Sequence, residues 1–311
     1  MWLDVTNLSA PLGGAVAIGN FDGVHLGHRA VVGHLLQAGM ASAVLVPDPH
    51  PLTVLGHAQP LLTEMPLRGR LLKAAGVGHL VRLPFDRRMA DMEPDAFVQE
   101  IILERLRPDH VVVGFNFTYG RGATGDVRRL LSSLQAAGVP LEVVAPTLFG
   151  GAVVSSSRVR RALREGDLAT ATALLGRPHV VAGTVRTGKG RGRTIGFPTA
   201  NVATDAAVAL PAEGVYAVRC RIGSEVLGGV ANLGPRPTFA EGESLLEVHL
   251  LHYAGDIYGT QAEVAFIHRL RGQVRFRDQD ALRRQIGEDA LAAEEMLGVA
   301  AAGWDMLGWP G

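Results

Sequence analysis

The chain is short of cysteine, of any surplus of one charge, and of unbroken apolar runs. Cys220 is the only cysteine in 311 residues, so no internal disulfide can form, which fits a reducing cytoplasm. Lysine plus arginine and aspartate plus glutamate both total 30, giving a net charge of zero. A general nucleic-acid binder carries a basic excess, so phosphate binding here should be local, and no nucleic-acid partner is expected. Residues 30–47 carry no formal charge, but Gly33, His34, Gln37, Gly39 and Ser42 interrupt them and Pro47 ends them. A helix, a break at Gly39 and a buried strand account for this stretch better than a membrane span does. The opening Met1-Trp2-Leu3-Asp4 lacks the basic-then-apolar pattern of a signal peptide. A soluble, cytoplasmic protein with no membrane partner is expected.

What is present is a globular composition, 47% apolar and 19% charged, in a chain long enough for one or two domains. In the first half, short apolar runs alternate with helical periodicity. Val16–Gly19, Ala43–Val46, His79–Leu83, Val111–Val113 and Leu141–Val144 read as strands; His25–Gln37, Ala96–Leu106 and Val127–Ala137 read as helices. Continuously apolar strands separated by helices predict a doubly wound parallel sheet with ligands at the carboxyl ends of its strands. Two short helices follow, Ser155–Arg164 and Leu168–Leu175. Closely spaced strands then come without intervening helices, at Val215–Ile222, Glu225–Ala231, Leu245–Leu251 and Ala262–His268. They predict a small antiparallel β-barrel, closed by a helix over Asp280–Leu297. The fold class is therefore α/β plus β, with a boundary near Gly176–His179 that gives domains 1–177 and 178–311.

The sharpest motif is Gly19-Asn20-Phe21-Asp22-Gly23-Val24-His25-Leu26-Gly27-His28, at the end of the first strand. Glycines let a nucleotide approach the backbone, and the following helix N-terminus offers free N–H groups to phosphate. His25 and His28 share a helical face and can steady charge as pyrophosphate leaves. Asn116 lies just past a later strand and can bond ribose, phosphate or base. Ser155 and Ser156 can cap a helix or donate to phosphate, and Arg158 can clamp phosphate with its planar fork. Gly120-Arg121-Gly122-Ala123-Thr124-Gly125 fits GxGxxG but does not follow the first strand, so it reads as a loop over the active site rather than a dinucleotide fingerprint.

In the second half, Gly188-Lys189-Gly190-Arg191 completes GxxxxGK from Gly183, but Gly190 replaces the Ser/Thr that a P-loop requires. A basic flap over ATP phosphates remains. Gly196-Phe197-Pro198-Thr199-Ala200-Asn201 follows. Thr199 and Asn201 share a face of an extended segment and offer oxygen ligands suited to magnesium beside phosphates. Glu247 and His249 share a strand face whereas His252 does not, so a metal cluster of these three is poorly supported.

The first motif resembles the HxGH signature of nucleotidyltransferases, and its longer string is similar to the prokaryotic bifunctional riboflavin kinase/FAD synthetase family. Pro49-His50-Pro51, Gly114–Gly120 and Ser155-Ser156-Ser157-Arg158 agree, with Ser157 where the family has Thr. So do Gly196–Asn201, Gly214-Val215-Tyr216, Asn232–Phe239 and Tyr258-Gly259. The resemblance implies an FMN adenylyltransferase followed by a riboflavin kinase. ATP would be co-substrate, riboflavin and FMN substrates, FMN and FAD products, and Mg2+ the cofactor. His25, His28, Arg158 and Glu247 would be catalytic, with Glu247 the kinase base. Gly19, Asn20, Phe21, Asp22, Gly23, Gly27, Asn116, Ser155, Ser156, Gly188, Lys189, Gly190, Arg191, Gly196 and Pro198 would bind nucleotide, and Thr199 and Asn201 the metal. Val46-Pro47, Gly78 and Gln273 depart from the family's usual Thr-Phe, Asp and Glu. Rival readings keep one activity only, a flavin carrier without turnover, or another adenylyltransferase that leaves the second half unexplained. A homo-oligomer is compatible with all of them.

Overall fold

A computed structural model describes residues 1–187, 196–234 and 243–298. The chain divides into two compact units, Met1–Gln59 with Glu64–Ser155, and Pro60–Thr63 with Ser156–Gly311.

The first unit is built on six parallel strands: β1 (Trp2–Asp4), β2 (Ala15–Ile18), β3 (Ser42–Asp48), β4 (His79–Pro84), β5 (His110–Gly114) and β6 (Leu141–Val144). Their order is β1-β4-β3-β2-β5-β6. All four residues of β2 are buried, as a strand covered on both faces requires. Val16, Ile18, Leu45, Val81, Val111 and Val113 meet Phe97, Ile101, Ile102 and Leu130 from the covering helices. Each such side chain contributes about 1.5–3 kcal/mol by leaving water. From β2 the chain continues to β3 on one side and only later reaches β5 on the other. The β2/β5 seam is thus the topological switch point, where loops leaving the carboxyl ends diverge and open a crevice. The Gly19–His28 motif leaves β2 there, and the Gly114–Tyr119 turn leaves β5.

Most expected elements occur within one or two residues of their predicted ends. The span 30–47 is the end of helix Leu26–Gln37, a break with Gly39 at φ +66°, and β3. Phe97–Leu106 is π-helical rather than α-helical. Its last turn closes with the Arg107 N–H donating to the Ile102 carbonyl at 2.9 Å, five residues back. β1, the helix Met65–Ala74 and the hairpin β7 (Leu148–Phe149)–β8 (Ala152–Val153) were not anticipated.

The second unit starts with helices Ser156–Glu165 and Leu168–Leu175. It continues as β9 (His179–Arg186), β10 (Ala200–Asp205), β11 (Gly214–Ile222), β12 (Glu225–Leu233), β13 (Glu243–Leu250) and β14 (Gln261–Arg271). These pair antiparallel in the closed order β10-β13-β12-β11-β14-β9. Along β13, Leu246, Val248 and Leu250 are buried, while Glu247 and His249 alternate with them on the other face. Gly183 lies inside β9, so the GxxxxGK string begins within a strand.

The helix Gln279–Leu297 packs Ala293 and Leu297 on Val215, Ala217 and Val230 of the barrel wall. Two arginines fix it. Arg219 donates to the Leu297 carbonyl at 2.6 Å, placing a cation at the negative end of the helix. Arg271 grips the buried Asp289 carboxylate with Nε at 2.9 Å and Nη2 at 2.6 Å. Replacing Asp289 with Ala leaves that guanidinium largely out of water without its carboxylate. Urea unfolding of the second unit should show a loss of roughly 3 kcal/mol. An unchanged midpoint would show that the pair does not fasten the helix.

Candidate active sites

In the first unit, the motif between β2 and helix Leu26–Gln37 is a strained loop. Phe21 and Val24 hold φ of +48° and +43°, and Gly23 holds +87°. A β-branched residue in this region is costly and persists only where surroundings over-determine it. Here they do. Phe21 is buried, and its ring lies 5.3 Å from that of His28. Asp22 is 1% exposed and meets Arg68, itself 2% exposed, at 3.3 Å. Arg68 also donates from Nη1 to the Asn20 carbonyl at 3.1 Å. A guanidinium from helix Met65–Ala74 thereby holds both a side chain and the backbone of the loop. Arg68 was not singled out from sequence, because nothing around it repeats a recognisable motif.

His25 caps helix Leu26–Gln37, its Nδ1 accepting the His28 N–H at 3.3 Å. The two imidazoles then stack, with centroids 3.7 Å apart and planes 15° from parallel. Gly27 makes room: a Cβ there would stand 3.2 Å from the His25 ring. His28 is partly exposed, but its Nδ1 is shut off from water and has no hydrogen-bond partner among the described residues. Burial, then the charges of His25 and Arg68, hold its pKa well below the usual 6.5. The pair therefore stands with His28 neutral at the mouth of a helix. A polyphosphate reaching this point would meet the helix N–H groups and an imidazole whose protonation its own charge favours.

Gly19 and Asn20 complete the loop, and Asn116 sits exposed in the turn after β5, where the Phe117 N–H donates to the Gly114 carbonyl at 3.0 Å. The seam between β2 and β5 therefore brings Asn116 to the same strand ends as the histidine motif. The GxGxxG stretch is a tight loop closed by a bridge between Tyr119 and Gly125; it holds one short 3-10 turn, Arg121–Ala123, and the helix that follows, Val127–Ala136, is capped by Asp126 and not by these glycines. Ser155 ends the first unit; Ser156 and Arg158 stand in the first turn of helix Ser156–Glu165 of the second. Arg160 is buried and donates to the Pro60 carbonyl at 2.6 Å.

In the second unit the barrel register builds the site. Asn201 of β10 pairs with Glu247 of β13, and Glu247 pairs with Asn232 of β12. Directly paired residues project to one face, so the three side chains form a row across adjacent strands. Asn201 is buried, and Asn232 Nδ2 donates to Glu247 Oε2 at 3.2 Å. On the other side of Asn201 the register places Arg186, a cation that sequence reasoning passed over. Thr199 and Pro198 lie just before β10. His249 holds that approach: its ring meets Phe197 edge-on at 5.3 Å and its Nδ1 lies 2.9 Å from the Pro198 carbonyl. His252 pairs instead with Glu294 at 2.7 Å, and no cluster of three His, Cys, Asp or Glu suited to a metal occurs among the described residues. Gly196 turns with φ +87°. Gly188, Lys189, Gly190 and Arg191 lie outside the described residues.

A family model described as FAD synthetase matches residues 9–158, and one described as riboflavin kinase matches residues 175–297. The chain belongs to the bifunctional riboflavin kinase/FMN adenylyltransferase family. It is 39% identical to the enzyme of that name from Escherichia coli K12, over 95% of this chain and 97% of the relative. It is 35% identical to that of Bacillus subtilis 168, over 89% and 90%. A solved structure from Streptococcus pneumoniae described as a macrolide-efflux protein superposes with a TM-score of 0.83 at 28% identity, covering 93% of this chain and 96% of that one. Among the described residues no helix is long and apolar enough to cross a membrane. In this member of the family, the departure at Gly78 has a steric reason. A Cβ at Gly78 would stand 2.9 Å from the Ser42 carbonyl, and the Gly78 N–H donates to the Ser42 hydroxyl at 2.9 Å.

The loop's dependence on Arg68 is measurable. Arg68→Met strands the Asp22 carboxylate in the interior without its guanidinium. It should cost the first unit about 3–5 kcal/mol in urea unfolding while the second unit keeps its stability. His28 gives a pH signature. Neutral when folded and titrating near 6.5 when unfolded, it contributes stability that is complete above that pH and is lost as the pH falls below it. Unfolding at pH 7.5 and pH 5.5 should therefore show a smaller acid loss in His28→Gln than in the unchanged protein. Equal losses would mean that His28 is not held neutral.

Proposed function

We propose that this chain makes FAD from riboflavin in two steps, each with its own ATP. The observation that carries the kinase step is the Asn201–Glu247–Asn232 row, which sets a carboxylate beside oxygen donors suited to a phosphate-bound cation. Glu247 takes the proton of the ribityl 5′-hydroxyl. The freed oxygen attacks the γ-phosphorus of ATP, the bond to the β,γ-bridging oxygen breaks, and FMN and ADP result. Thr199 Oγ1 and Asn201 Oδ1 are the neutral oxygen ligands that would hold Mg2+, which when bound offsets the charge of the transferring phosphoryl group. Gly196 and Pro198 shape the backbone beside them. Gly188, Lys189, Gly190 and Arg191 keep their assignment as a basic flap for the phosphates.

In the adenylylating step, a phosphate oxygen of FMN attacks the α-phosphorus of a second ATP, and pyrophosphate leaves. His25 and His28, at the start of their helix, stabilise the departing charge, and no covalent intermediate forms. Gly19, Asn20, Phe21, Asp22, Gly23 and Gly27 form the loop that admits the nucleotide, with Asn116 at the neighbouring strand end. Ser155, Ser156 and Arg158 supply a further phosphate contact. The stacked, helix-capping imidazoles at the β2/β5 switch point support this reading. The matches over 9–158 and 175–297 support a functional division at 1–177 and 178–311. The partners are small molecules, and the ATP demand of both steps suits the cytoplasm.

Chromatography of flavins during incubation with riboflavin, ATP and magnesium tests the scheme. FMN should appear first and FAD after it. Glu247→Gln should lower FMN formation by about 10²–10⁴-fold while FAD formation from supplied FMN persists. Loss of both activities in a folded Glu247→Gln protein would refute the division of labour.

A further inference from the structure

Glu247 does not stand alone on its barrel face. Asn232 donates to it, and Asn232 is in turn bonded to Gln273, in the segment that follows β14. Gln273 Nε2 lies 2.8 Å from Asn232 Oδ1 and 2.7 Å from the Leu233 carbonyl. Asn232 Nδ2 lies 3.2 Å from Glu247 Oε2. The two ends of this chain accept hydrogen bonds: one is a backbone carbonyl, the other the carboxylate assigned as the proton acceptor. Two amides lie between them, and each has one donating and one accepting end. Only one arrangement satisfies every contact. Gln273 turns its NH2 toward Leu233 and Asn232, Asn232 turns its oxygen toward Gln273, and its NH2 is left for Glu247. Reversing Gln273 would set its oxygen against the Leu233 carbonyl. Reversing Asn232 would set its oxygen against Glu247.

We propose that Gln273 is a positioning residue of the kinase: anchored on the Leu233 carbonyl, its amide fixes the Asn232 amide so that Asn232 donates to Glu247 and holds that carboxylate in place. This rests on Glu247 being the kinase base. It also gives a reason for the glutamine at 273. A carboxylate there could not donate to Leu233, and it would draw the Asn232 NH2 away from Glu247. The glutamine converts an acceptor position into a donor position, and the polarity of the whole chain follows from it.

The test is steady-state FMN formation by the full-length protein and its variants Gln273→Met, Gln273→Glu, Asn232→Ala and the double variant Gln273→Met/Asn232→Ala. Gln273→Met should lower kcat roughly tenfold, the worth of one hydrogen bond to a charged group, with KM for riboflavin and for ATP within about twofold. Gln273→Glu should be slower still. In the Asn232→Ala background, Gln273→Met should change nothing, since its target is gone. FAD formation from FMN should be unaffected throughout. Wild-type kcat in Gln273→Met, a loss confined to KM, or the same loss with and without Asn232 would each overturn the proposal. Glu247→Gln separates the two claims. If it still makes FMN, the base assignment falls and the positioning role with it. If it does not and Gln273→Met is unimpaired, only the positioning role falls.

Discussion

A polar group taken out of water must meet a partner of the opposite hydrogen-bonding sense, and this constraint shapes both units at the points where chemistry is expected. In the first unit it fastens a loop. Asp22 is buried because Arg68 is buried beside it, and Arg68 can be buried because Asp22 and the Asn20 carbonyl accept from it. The strained backbone at Phe21 and Val24 is tolerable only inside that closed set of contacts. In the second unit the same constraint sets direction. The Leu233 carbonyl and the Glu247 carboxylate both require donors, and the two amides between them have one way to provide them. One arrangement restrains where a backbone can go, the other which way an amide can face.

Both reactions are displacements at phosphorus, in which a protein contributes chiefly placement and charge. The two units place their groups by different means. The parallel sheet uses its switch point, so that loops from β2 and β5 diverge over strand ends and leave a helix N-terminus pointing at the opening. The barrel uses register. Asn201, Glu247 and Asn232 come from segments far apart in sequence and meet because three antiparallel strands pair at those positions. A slip of one residue in β13 would turn Glu247 into the barrel and bring Leu246 or Val248 to the row, exchanging a core residue for a charge. The hydrophobic alternation of β13 thus protects the chemistry as well as the core.

The sequence was legible where signals were local. Strand runs, helix periodicities and the glycine–histidine motif all depend on neighbours within a few residues, and the elements they indicated occur close to the predicted ends. β1 and the hairpin Leu148–Val153 were missed because strands of two or three residues carry too little periodicity to register. The helix Met65–Ala74 carries Gly69 in its interior, a poor helix former, and its buried face includes Arg68, which reads as polar. Spacing put Thr199 and Asn201, and Glu247 and His249, on common faces of extended segments, while their roles came from the resemblance. Their assembly could not be read from spacing. The Asn232–Glu247 contact joins two strands at positions fifteen residues apart, and Arg160 meets its partner, the Pro60 carbonyl, across one hundred residues.

The departures from family pattern follow the same logic of local compensation. Gly78 has no room for a side chain, because the Ser42 carbonyl lies where a Cβ would point, and its N–H is taken by the Ser42 hydroxyl. Pro47 sits within β3, a central strand, where a missing N–H would ordinarily cost a ladder bond. The register removes the cost. The last pairing between β2 and β3 is Ile18 with Leu45, and the Gly19 N–H donates to the Leu45 carbonyl at 3.2 Å. Alternate residues of a strand direct their N–H and C=O groups to opposite sides, so Pro47, two residues beyond Leu45, faces the β2 side. By then β2 has ended and turned into the glycine–histidine loop. Asp48, facing the other way, accepts from the Phe85 N–H at 3.0 Å and keeps β3 joined to the end of β4. The proline therefore stands at the one place in a buried central strand where no neighbour asks for its N–H, on the side from which the nucleotide loop departs.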